Sequence, residues 1–159
     1  MANGLIMGVD GHTVTAKNVS STTAITAGDL VYAPTNNDVF QTTADVSSYS
    51  WDDVKVKTIL CSATGYKSVI GVAMNDAGTS ASNTSQVAVA MQGIFMHQAK
   101  AETGGAGNIE AGSAVQAAEA TVNGLQVDGN ATTEPDVCIG KALTGSSTSP
   151  EYVLWKLNL

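Results

Sequence analysis

Arginine is absent from this chain of 159 residues. Its seven basic side chains are all lysines, set against fourteen carboxylates, for a formal net charge of −7. Nucleic-acid binding neutralises phosphates with arginine and lysine, and base readout favours bidentate arginine. An acidic chain without arginine is therefore not expected to bind nucleic acid. Phosphoryl transfer and bidentate carboxylate recognition lose their usual instrument for the same reason. Cysteine is nearly absent too. Cys61 and Cys138 sit in apolar settings, Ile-Leu-Cys and Val-Cys-Ile, with no Cys-x-x-Cys spacing to suggest a metal site. They read as small buried hydrophobes, with a disulfide between two lobes as the alternative.

The search for chemistry is equally sparse. Histidine occurs twice, as His12 in a Gly-His-Thr turn and His97 at the end of an apolar strand. Neither has ligand-like spacing to Cys, Asp or Glu, so both read as surface or strand-end residues. Asp52 and Asp53 are adjacent, and neighbours on a strand point to opposite faces. Asn36-Asn37-Asp38 lacks the acidic spacing and terminal Glu of a calcium loop. Gly104, Gly105 and Gly107 have no Lys-Ser/Thr ending, and no Gly-x-Ser-x-Gly elbow occurs. Three glycosylation sequons, at Asn18, Asn83 and Asn130, are the chance yield of a Ser/Thr-rich chain. No catalytic residue, metal ligand or cofactor site is nominated, and the chain reads as a non-enzyme. Met1 to Gly11 has neither a basic start nor a continuous apolar stretch. No signal peptide or membrane span is therefore expected, and synthesis is placed in the cytoplasm of the producing cell.

What the chain does hold is 43% hydrophobic residues, chiefly small ones, with only 13% charged. Ala and Val set among Thr, Ser, Asn and Gly suit short strands on tight loops better than long helices, so the fold class is all-β. The order Ile-x-Ala-Gly-x-x-Val, then Ile-Gly-x-Ala, then an alternating apolar strand occurs twice. The first copy is Ile25–Tyr32, Val69–Met74 and Gln86–Met91; the second is Ile109–Gln116, Cys138–Leu143 and Glu151–Leu157. Ala-Gly-Asp or Ala-Gly-Ser ahead of an apolar run is a tight turn feeding a strand, with glycine free to take positive φ. In Ile-Gly-x-Ala the glycine permits close backbone approach or a bulge. Val87, Val89 and Met91, like Val153, Trp155 and Leu157, mark half-buried strands by their period of two.

Further strands are expected at Thr13–Asn18, Leu30–Ala33, Val54–Ser62, Gly93–Gln98 and Leu125–Val127. The chain then divides into an N-terminal arm (1–12), a first β lobe (13–99), a linker (100–107) and a second β lobe (108–159). An insertion in the first lobe lies within about 42–67. Trp155 fits a core position. Trp51 with Tyr49 either caps the first lobe or forms an exposed anchor of the kind that dominates interfaces.

The ordered set Ala27-Gly28-Asp29, Val69-Ile70-Gly71-Val72-Ala73, Gly93-Ile94-Phe95, Ala111-Gly112 and Ile139-Gly140-Lys141-Ala142-Leu143 is similar to a known family. These are small proteins encoded in phage head-gene clusters, the capsid decoration or cement proteins. The likeness runs from Thr13 to Leu159. Lys141 departs from it, a small or apolar residue being commoner there, and so does the insertion around Trp51. The resemblance implies a two-lobed β-barrel-like or β-tulip-like body. It also implies a homotrimer seated at three-fold positions outside an icosahedral head, with the major capsid protein as partner and the virion as location. The arm, with Leu5, Ile6, Met7 and Val9, is read as flexible and as ordering on the capsid; with Tyr49 and Trp51 it makes the candidate interface. Two other readings stand beside this one: a head fibre, turret or receptor-binding module whose polar loops meet host glycans, and a hydrolase on a β scaffold.

Overall fold

The computed structural model of the protein describes residues 5–8, 12–32, 56–60, 69–99, 109–117, 124–127, 138–146 and 152–158. Among the described residues the chain is all-β, as its composition predicts, with eleven strands and no helix. In chain order these are β1 (Leu5–Gly8), β2 (Thr13–Asn18), β3 (Leu30–Tyr32), β4 (Val56–Leu60), β5 (Val69–Ala73) and β6 (Gln86–Ala90). They continue with β7 (Gln92–Ala99), β8 (Ala114–Ala117), β9 (Gly124–Val127), β10 (Gly140–Ala142) and β11 (Tyr152–Asn158). The five further strands expected from alternation all form, within two residues at each end.

The pairing repeats. β2 lies antiparallel to β6 and parallel to β4, while β3 lies antiparallel to β4 and β5, and β5 to β6. These pairings return on themselves, β2–β4–β3–β5–β6 and back to β2. In the second half β7 takes the part of β2: antiparallel to β11, parallel to β9, with β8 against β9 and β10, and β10 against β11. Register partners then match residue for residue. Val31 faces Gly71 as Val115 faces Gly140, and Ala73 faces Val89 as Ala142 faces Trp155.

The Ala-Gly turns repeat in the same detail. Gly28 and Gly112 hold φ of 92° and 91°, a region glycine enters without a Cβ penalty. Their amides donate over 2.8 Å to the carbonyls of Ala73 and Ala142, and the next amides, of Asp29 and Ser113, reach back 3.0 Å to Thr26 and Glu110. Isolated bridges Ile25–Ala77 and Ile109–Ser146 close the equivalent loops.

Three expectations change. First, the sequence places Gly93–Gln98 in the first lobe, but the ladder of β7 lies with β11 and β9, so the two units meet at Met91, the one residue between β6 and β7. Period two shows which face of a strand is buried; it does not show which neighbours the strand takes. Second, part of the N-terminal arm is a strand. β1 pairs antiparallel with β7, Leu5 opposite Met96 and Ile6 opposite Phe95. β9 covers that side of β7 only at Gln98 and Ala99, and β1 satisfies backbone groups further along it. Third, the extra residues of the first unit lie between β3 and β4, at 33–55 against 118–123 in the second unit. β4 itself is therefore outside the insertion and is the counterpart of β9. The linker at 100–107 lies outside the described residues.

The units are not separate lobes in their packing. Ala16, Ile25, Val31, Ala73, Ala77, Val87 and Val89 form one cluster inside the first unit. Leu30, Tyr32, Val69, Val72 and Ala90, on its opposite face, join Phe95, Trp155, Leu157 and their neighbours in a second cluster that spans both units.

Candidate functional site

The interface between the units carries the most specific polar chemistry described. His97, two residues before the end of β7, is fully buried, which corrects its reading as a surface residue. The indole Nε1–H of Trp155, equally buried, donates to His97 Nδ1 over 2.9 Å, and the rings meet edge-on at 5.7 Å. An indole N–H can only donate, so Nδ1 is the bare nitrogen and Nε2 carries the proton. That Nε2–H then donates over 2.8 Å to the carbonyl of Gly28, in the first unit's Ala-Gly-Asp turn. The imidazole is thus held neutral, in one tautomer, as a strut between the units. Burial lowers its pKa to about 4, only partly offset by the Gly28 bond. With both nitrogens engaged and no exposed edge, it has no means of serving as a general base.

A second feature is the open face of the second unit. Gly112, Ala114, Cys138, Gly140, Lys141, Lys156 and Asn158 line a shallow concavity of about 500 Å³. Cys138 there is half-buried with a free thiol, which is directed 3.3 Å from the Gly140 carbonyl. It is less buried than its apolar sequence context predicts. Cys61 lies outside the described residues.

Of the sequence-predicted interface residues, the described ones all belong to one strand. Leu5, Ile6 and Met7 fall on β1, beside β7. Val9, Tyr49 and Trp51 lie outside the described residues, as does the Asn36–Asp38 turn. Trp155 occupies the core position expected of it. Asn18, the first of the three sequons, is buried: its amide group donates to the Thr23 and Gly78 carbonyls at 2.8 and 3.0 Å, and its Oδ1 accepts from Ser20 N–H. It staples a loop and offers no acceptor for a glycan. Among the described residues no three His, Cys, Asp or Glu side chains gather as a metal site. His97, Lys141 and Lys156 are the residues the sequence reading passed over as a site. The signal for the lysines lies in the repeat, which sets them against Val72 and Ala90.

Neither a scan of protein-family models nor a search of curated proteins returns a match to this chain.

Proposed function

We propose that the protein is a decoration, or cement, protein that binds the outside of an icosahedral viral head and strengthens it. The observation that carries the reading is the ordered motif set, from Ala27-Gly28-Asp29 to Ile139-Gly140-Lys141-Ala142-Leu143, with its likeness to phage head proteins. The physical character of the chain supports it. One of the two apolar clusters spans both β units, and the single buried histidine among the described residues is tied up as a strut. Such a body resists deformation, which a shell clamp requires and a catalyst does not.

In this reading each unit is a small barrel- or tulip-like lobe and the protein acts without catalysis. Three copies sit around a three-fold position, with the major capsid protein beneath them. The N-terminal segment and the insertion around Tyr49 and Trp51 are the contact candidates. The test is heat tolerance of heads prepared with and without the protein. Decorated heads should release their DNA at a higher temperature; equal release temperatures remove the cement role.

A further inference from the structure

The duplication makes a comparison that a single unit would not allow. In the first unit Leu30, Val69, Val72, Met74 and Ala90 form the face that packs on the second unit. By register, and by the sequence repeat for Cys138 and Leu143, their counterparts are Ala114, Cys138, Lys141, Leu143 and Lys156. Ala114, Cys138, Lys141 and Lys156 line the open concavity, Lys141 and Lys156 being exposed, and Leu143 stands 43% exposed. Among the described residues, the same surface is therefore an occupied interface in one unit and a vacant one in the other.

The vacant copy is chemically altered. Lys141 and Lys156 are direct register partners across β10 and β11. Like charges facing each other in this way are destabilising in a sheet. Among the described residues no carboxylate pairs with either. In the first unit the same positions hold the apolar partners Val72 and Ala90. An apolar surface like that of the second unit would leave both ammonium groups desolvated and unpaired, at high cost. A surface carrying carboxylates at strand spacing would pair with them and relieve their repulsion. Gly112, the counterpart of the Gly28 whose carbonyl accepts the His97 hydrogen bond, lies exposed beside them.

We propose that this face of β8, β10 and β11 is a docking site for an acidic protein segment in extended conformation, its carboxylates paired with Lys141 and Lys156. The proposal stands apart from the shell reading, because it concerns the isolated chain and a peptide.

The test is an NMR titration of the full-length protein at low salt with a synthetic peptide bearing Glu at alternate positions among Thr and Val. A peptide with Gln in place of Glu and a single-stranded DNA oligonucleotide serve as comparisons. The Glu peptide should shift the amides of Gly112, Ala114, Lys141 and Lys156, and affinity should fall at least tenfold in the K141Q/K156Q variant. Both side chains are exposed, so unchanged amide shifts elsewhere will show that the variant folds. Four outcomes of the titration would overturn the proposal: no shifts at this face, shifts that survive the double substitution, equal binding of the Gln peptide, or DNA binding as tight as the Glu peptide. Concentration-dependent shifts of these amides in the free protein would instead assign the face to a second copy, and would also overturn it.

Discussion

Acidification from pH 7 to pH 5 is expected to cost the fold about 2 kcal/mol through His97 alone. Above pH 6.5 the imidazole is neutral in both the folded and the unfolded chain. Below 6.5 the unfolded chain takes up a proton that the folded chain refuses until about pH 4. The unfolded state therefore binds more protons across this window, and stability falls as the pH drops through it. At about 1.4 kcal/mol per pH unit, the loss is roughly 2 kcal/mol at pH 5. It levels off at about 3 kcal/mol once the folded chain also protonates near pH 4. Protonation there would place a second hydrogen on Nδ1, against the indole N–H that now donates to it, and would break the Trp155–His97–Gly28 strut. The assay is urea unfolding of the wild type and His97→Gln at both pH values. The variant will be less stable throughout, so the quantity compared is each protein's change with pH. All other titratable groups are common to the two proteins and cancel in that comparison. An equal loss in the two proteins, or an imidazole pKa measured by NMR above 6, would refute the neutral strut.

Other substitutions probe the duplicated geometry and the buried polar groups. A Cβ on Gly140 would collide with the Lys156 carbonyl and lie 2.9 Å from the Trp155 ring, and one on Gly71 would strike the Ala90 carbonyl and approach Val89 to 2.7 Å. Each Gly→Ala change should cost about 1–3 kcal/mol, read as a lower urea midpoint, with both sites responding alike. The buried Ser146 hydroxyl has no hydrogen-bond partner among the described residues, and its counterpart in the first unit is Ala77. Ser146→Ala should leave stability unchanged or raise it by about 1 kcal/mol, measurable by thermal unfolding. Trp155→Phe keeps much of the ring contact but leaves His97 Nδ1 unpaired in the core, for a loss of about 1–3 kcal/mol. It should also change the tautomer balance seen in the imidazole ¹⁵N shifts.

Legibility in the sequence followed the reach of each signal. Alternation located β2 at Thr13–Asn18 and the strands bearing Val87, Val89 and Trp155, because it depends only on neighbours along one chain. The repeat carried further: it set Gly28 with Gly112 and Gly71 with Gly140, positions whose conformation or close packing excludes a side chain. Partnership between strands was not legible. Nothing local distinguishes β7 as a member of the second unit, since its burial pattern would be the same against either set of neighbours. The polar strut was hidden for the same reason: His97, Trp155 and Gly28 are 58 and 69 residues apart and meet only through that pairing. Lys141 was visible as a departure from the family pattern. Its meaning emerged when Lys156 proved to be its register partner and Val72 its counterpart.

If the chain decorates a viral shell as proposed, a reconstruction of heads made with and without it tests that reading most directly. Density fitting two adjoining β units should stand on the outer surface, in three copies around three-fold positions, and should vanish from heads made without the protein. Heads identical with and without it, or density confined to a fibre or a turret, would contradict the account.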